Sequence, residues 1–251
     1  MVSFGSTGLL ARADGPAAPP PWQEAQDLIP EFSPVFPGDD STQSPKIFRG
    51  PRPSQDHALE KLKIAGVNTV INLQGGDGDV PLIGRIVRHT EKGEKPQSIF
   101  NEGLAAKAAK ITNYLNRPLL SYASITPDEG KIIADVLDVM GDERYQPVYV
   151  HCEHGHDRTG MIVALYRVRY ESYSMKKAHD EMIAKGHKGF LNHLFTHAMD
   201  EYFYEEGCRI KKQQRLENPA LAEDPACAPK KYIHATNKKG AELLMEQRRA
   251  E

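Results

Sequence analysis

An apolar, β-branched run without helical period, QPVYV (Gln146–Val150), passes through HCEHGHDRTG (His151–Gly160) into Met161–Val168, which is apolar on nearly every side. The first run has the length of a buried strand, and the last reads as a buried helix starting near Arg158. A strand that enters a buried helix through so short a turn needs other elements on both sides, which is the condition met in layered α/β folds.

The chain from Pro45 onward repeats this alternation. A short strand is followed by a helix over Gln55–Ala65, a strand over Val67–Leu73, and a charged insertion from Gly75 to Ser98. A helix over about Asn101–Lys110, a strand over Pro118–Tyr122, a helix over Pro127–Met140 and a strand over Pro147–Val150 then lead into the helix after the turn. Further helices are expected over Met175–Ala184 and Leu191–Tyr204. The expected fold is α/β, with a central, mainly parallel sheet flanked by helices on both faces. Residues 1–44, rich in Pro, Gly and Ala, read as an extended or disordered arm in which Trp22 and Phe36 dock on the domain. The expected domain is 45–207, and residues 208–251 form a basic tail with ten Lys or Arg against six Asp or Glu and a last polar helix near Lys239–Arg249.

The turn carries chemistry. Cys152 stands at a strand's carboxyl end, and the backbone N–H groups of Glu153, His154, Gly155 and His156 lie at a helix entrance, where they can converge on an anion that the helix dipole also favours. The same field favours a thiolate, the nucleophilic form. Arg158 supplies a planar fork for two phosphate oxygens. Thr159 can donate its hydroxyl to the sulfur when it becomes a leaving group, and Gly155 permits a bend with positive φ. His151 reads as a buried hydrogen-bonding residue that fixes the turn. The scheme needs an accessible sulfur that faces the guanidinium, with room for a tetrahedral anion between them. A buried cysteine beside a surface arginine is the plain alternative, and a zinc cluster of His151, Cys152, His154 and His156 is another. That cluster lacks the two separated ligand pairs usual for zinc and would consume the nucleophile. No cofactor or metal is expected.

His151, Cys152, Gly155, Arg158, Thr159 and Gly160 resemble the signature of the cysteine-based protein tyrosine phosphatase superfamily. Lys46–Ser54 (KIFRGPRPS), the helical stretch to Ala65 and Gly66–Leu73 (GVNTVINL) are similar to the opening of its small dual-specificity branch, so the resemblance covers about residues 45–207. It implies phosphomonoester hydrolysis through a phosphocysteine.

Hydrolysis of a poor leaving group needs an acid. Asp157 makes the turn end in Asp-Arg-Thr, which is similar to loops of myotubularin-like and other phosphoinositide phosphatases; in the former that aspartate is implicated as the acid. Asp128, 24 residues before Cys152 in SITPDEG, lies where tyrosine phosphatases carry a mobile acid-bearing loop. Yet Thr126, Pro127, Asp128 and Glu129 also spell a helix start. Both aspartates remain candidates, Asp157 the favoured one.

Seven of the ten histidines lie between His151 and His197, and His154 and His156 belong to the turn. Their partial protonation would add charge against a polyanion. Arg85, Arg88, His89, Lys92 and Lys95 in the insertion, and His187, Lys188 and His193 in GHKGFLNH, are candidates to border the pocket, although each is individually more typical of solvated loop charge. These cations turn the expectation toward inositol phosphates or phosphoinositides, with a phosphotyrosine or dual-specificity protein substrate as the alternative and a phosphate-binding module without turnover as a third.

The expected partner is thus a phosphorylated small molecule, a lipid headgroup or a phosphopeptide. A net charge of −2 over 251 residues calls for no nucleic acid. No apolar stretch is long enough to span a bilayer. MVSFGSTGLLARA lacks a basic n-region, so a cytoplasmic location is expected, with a periplasmic or secreted one where a signal has been trimmed. Three cysteines make no disulfide framework, although a Cys208–Cys227 bridge is open.

Overall fold

The computed structural model describes residues 20–53, 56–75, 101–119, 124–188 and 194–228. Five strands form one sheet: β1 Ser33–Val35, β2 Ile47–Gly50, β3 Thr69–Asn72, β4 Asn113–Asn116 and β5 Val148–His151, in the order β1-β2-β5-β3-β4. The β2–β5, β5–β3 and β3–β4 pairs are parallel and β1–β2 is antiparallel. The described helices are α1 Gln23–Leu28, α2 Asp56–Ile64, α3 Glu102–Ala108, α4 Pro127–Gly141, α5 Asp157–Tyr170, α6 Met175–Ala184 and α7 Leu194–Glu217.

The two-residue period of the central strands sorts these helices onto opposite faces. Ile47, Ile71, Val148 and Val150 point into one core with side chains of α4, α5, α6 and α7, whereas Phe48, Val70 and Tyr149 point into the other with those of α1 and α2 and Ala106 of α3. Strands buried on both faces explain why QPVYV has no polar alternation. α5 is the central helix: every residue from Thr159 to Val168 is buried, including Arg167, whose guanidinium is satisfied by Glu171, Glu181, Asp39 and the Phe36 carbonyl.

Several expected boundaries change. The strand expected at Pro118–Tyr122 is displaced: β4 lies earlier, at Asn113–Asn116, while residues 120–122 are outside the described set. Asn is a poor strand former, but here Asn113 Nδ2 donates across the ladder to Thr69 Oγ1 at 3.1 Å. The described part of the supposed arm, residues 20–44, contributes α1 and β1, so the boundary at 44 cuts through the sheet. The helix expected over Leu191–Tyr204 runs as α7 to Glu217, past the boundary at 207, and Cys208 is disulfide-bonded to Cys227, closing the bridge that the sequence left open. The insertion cations Arg85, Arg88, His89, Lys92 and Lys95, together with His193 and the Lys239–Arg249 segment, lie outside the described residues. Among the described residues, no helix is long and apolar enough to cross a membrane.

Candidate active site

β5 delivers His151 and Cys152 to the carboxyl end of the parallel strands, where ligands of open α/β sheets bind. Residues 152–156 make the turn, and α5 opens at Asp157, one residue before the expected Arg158. Gly155 has φ +77°, and a Cβ there would stand 2.4 Å from the Gly50 carbonyl carbon and 2.8 Å from Pro51 N. Only glycine meets both demands.

The KIFRGPRPS segment therefore packs directly on the turn. Arg49 Nη2 donates to the Gly155 carbonyl at 2.7 Å, and the Arg52 N–H donates to the Glu153 carbonyl at 3.2 Å. Arg49 is 3% exposed; burial pulls its pKa down, against attraction from Glu181 and from the Cys152 sulfur. Nothing in the sequence marks Arg49 beyond its place in KIFRGPRPS, yet it is the side chain that ties that segment to the turn.

Next to Cys152, His151 is fully buried. Its Nδ1 lies 3.2 Å from the Cys152 carbonyl oxygen and its Nε2 lies 2.6 Å from Glu102 Oε1. Both ring nitrogens are engaged, which fixes the plane of the ring beneath the turn. Glu102 in turn accepts from Arg52 Nε at 3.1 Å and from Asn72 Nδ2 at 3.4 Å. Glu102 reads in the sequence as an ordinary acid in a first helical turn, and nothing there marks it as the buried anchor of His151.

Cys152 is only 3% exposed, which departs from the accessible sulfur expected. The cause is its place at the end of a doubly covered strand, in one cluster with Val150, Met161 and Ile162. The access to the sulfur that the scheme requires is therefore not met in this state. Arg158 Nη1 donates to the carbonyls of Leu73 and Leu119 at 3.2 and 3.3 Å, so the ends of two neighbouring segments fix its plane. Thr159 Oγ1 is buried without a hydrogen-bond partner, so the expected bond to the sulfur is not formed in this state. A buried hydroxyl left in this condition costs stability.

The remaining candidates divide. Asp128 is exposed in the first turn of α4, and its pKa is lowered by a 2.8 Å hydrogen bond from Lys131. Thr126 and Glu129 form a capping box around it, so its helix-start signature describes its surroundings. Asp157 is tied elsewhere, accepting from His187 Nδ1 at 2.8 Å. Burial works against its charge, but bonds from His187 and the Lys188 N–H prevail and lower its pKa. His156 turns toward Glu31, and His154 is exposed and stacks on His156 with ring centroids 6.3 Å apart. The Lys188 side chain is exposed. With His151 directed at Glu102 and His156 at Glu31, the four suspected zinc ligands diverge; among the described residues no group of three or more His, Cys, Asp or Glu is arranged to hold a metal.

Comparison with known proteins follows the same lines. Residues 24–198 match a family described as DSP-PTPase phosphatase fused to NAD+ kinase. A 63-residue segment is 33% identical to the dual specificity protein phosphatase TpbA of Pseudomonas aeruginosa strain PAO1, covering 25% of this chain and 28% of that protein. The match thus spans about a quarter of the curated relative. Among solved structures, the catalytic domain of the PP-IP phosphatase SIW14 from S. cerevisiae aligns with a TM-score of 0.49 at 15% identity, covering 77% of this chain and 96% of that one. A putative phosphatase from Shewanella putrefaciens CN-32 gives 0.47 at 17% identity, over 73% and 97%. The family match extends over well more than half the chain, and the protein belongs to this dual-specificity phosphatase family, within the cysteine-dependent tyrosine phosphatase superfamily.

Proposed function

We propose that the protein hydrolyses phosphomonoesters through a phosphocysteine on Cys152 and that its substrates are inositol phosphates or phosphoinositides. The observation that carries the reading is the β5–α5 turn itself, where a cysteine, a positive-φ glycine and an arginine are brought together at a helix N-terminus. Cys152 Sγ attacks phosphorus in line while the turn's amides and Arg158 hold the non-bridging oxygens. As the S–P bond forms, the P–O bond to the leaving group breaks and that oxygen takes a proton from Asp157. Water then attacks phosphorus, the S–P bond breaks, and inorganic phosphate departs from the restored thiolate.

His154 and Lys188 are exposed on the turn and on the segment that reaches Asp157, positions that suit a ligand carrying several phosphates. The TpbA resemblance favours the second reading, a dual-specificity protein phosphatase. Parallel kinetics on inositol hexakisphosphate, phosphoinositide vesicles and a phosphotyrosine peptide separate the two, the first two substrates being expected to show the higher kcat/KM. Preference for the peptide would install the second reading. Absence of turnover on all three and on 4-nitrophenyl phosphate, with phosphate still bound, would make the site a binding module. Cys152→Ser is expected to abolish every turnover seen.

A further inference from the structure

The acid in this scheme has a difficulty, because Asp157 is held ionised and a carboxylate has no proton to give. Its surroundings supply one. His187 has a fully buried side chain, with Nδ1 2.8 Å from Asp157 Oδ1 and Nε2 3.1 Å from Asp200 Oδ1. The same Asp200 oxygen lies 3.1 Å from His179 Nε2. A neutral imidazole has one N–H, so a ring wedged between two carboxylates satisfies both only as imidazolium. The members come from α5, the segment after α6, α7 and α6 respectively, so folding assembles them.

We propose that His187, held by Asp200, stores the proton that Asp157 delivers to the leaving oxygen, making Asp157, His187 and Asp200 a relay at the mouth of α5. The inference rests on the phosphatase reading and adds two positioning residues to it. In the first step, the proton on His187 Nδ1 passes to Asp157 as Asp157 protonates the departing oxygen. In the second, the attacking water's proton returns through Asp157 to His187, so the relay ends as it began. The charged groups around His187 are Asp157 from α5, Asp200 from α7, and His179 from α6 through Asp200; Asp157 also meets the Lys188 N–H and the field of His156, which itself faces Glu31. Burial disfavours the imidazolium, but the two carboxylates outweigh it and raise His187 to about 9. The relay is therefore loaded at neutral pH and empties as pH rises through about 9.

The experiment compares wild type, His187→Asn and Asp200→Asn on two substrates, 4-nitrophenyl phosphate and an alkyl phosphate, across pH, with a thermal melt of each variant. An asparagine in place of His187 keeps a donor toward Asp157 without titrating. The loss in kcat is expected to be larger on the alkyl phosphate than on the aryl one by on the order of 10²-fold, since only the poor leaving group needs an acid. The alkaline limb for the alkyl phosphate should move from about 9 toward the carboxylate range in His187→Asn, and to an intermediate pH in Asp200→Asn. Equal losses on both substrates, or alkaline limbs that coincide with wild type, would overturn the relay while leaving the Cys152 mechanism standing. Failure of wild type to turn over either substrate would instead remove the phosphatase reading and the relay with it.

Discussion

Gly155 shows how little freedom the turn allows. Alanine there would meet the Gly50 carbonyl at 2.4 Å while holding φ at +77°, so the turn must shift and the amides behind Cys152 shift with it. Gly155→Ala is expected to lower kcat/KM by on the order of 10²-fold, because small displacements at a reacting centre are that costly. A destabilisation of roughly 1–3 kcal/mol should accompany it in denaturant titrations. Unchanged kinetics would mean that the turn tolerates the displacement. His187 has a signature in stability as well as in rate. Its folded-state pKa of about 9 lies above the ordinary 6.5, so its contribution is complete below about 6.5 and lost as pH rises through about 9. Asp200, lowered to about 2 from 3.8, contributes above the ordinary value and loses that contribution as pH falls through about 2. Wild type should lose on the order of 3 kcal/mol between pH 6 and 10 relative to His187→Asn in chemical denaturation, and parallel curves would count against the buried imidazolium. The turn residues were legible in the sequence because Cys152, Gly155, Arg158 and Thr159 are neighbours there. Arg49, Glu102, His179 and Asp200 were not, since their meaning arises from contacts between elements far apart in the chain.

At the scale of elements, α5 is legible from an apolar run that is buried all round and α6 from its helical period, and α6 begins and ends where expected. β4 could not, since its ends are asparagines and its pairing is set by β3. α7 runs past the expected Tyr204 into a largely polar stretch, and what holds its far end is a covalent bond to the segment that follows. That bond does more than tie two cysteines. The returning segment carries Asp224, whose carboxylate accepts from the Met175 N–H at 2.8 Å and so satisfies one donor at the start of α6. α6 leads in turn to His187. For two cysteines 19 residues apart, opening the bridge is expected to cost about 3 kcal/mol on chain-entropy grounds. Denaturant midpoints with and without dithiothreitol should differ accordingly, whereas Cys208→Ser/Cys227→Ser should show no such difference. Reductant should at the same time preserve activity, because Cys152 is the free cysteine and works reduced. An unmoved wild-type midpoint would remove the bridge from the stability of the fold.

For the whole molecule, the decisive surface is the exposed side of β2. β1 covers it antiparallel, and α1 with the residues after it supplies Ala25, Ile29 and Phe32 to one core and Val35 to the other. Phe32 stacks on Phe48 and Tyr149 at 5.1 and 5.7 Å between centroids, and the hydroxyl of that tyrosine donates to the Pro51 carbonyl, beside the phosphate turn. The N-terminal segment thus belongs to the wall on which the turn is built. Removing residues 1–44 would strip at least three large buried side chains, each worth roughly 1.5–3 kcal/mol. It would also leave β2 as an unpaired edge available for association. The combined loss, more than about 5 kcal/mol, is comparable to the whole stability of an ordinary domain. A chain of residues 45–251 is therefore expected to lack a cooperative thermal transition and to elute as aggregate in size-exclusion chromatography. If it melted cooperatively as a monomer, near the full chain's midpoint and with its phosphatase kinetics intact, the segment would be an accessory, and the turn would owe its shape to β2 and β5 alone.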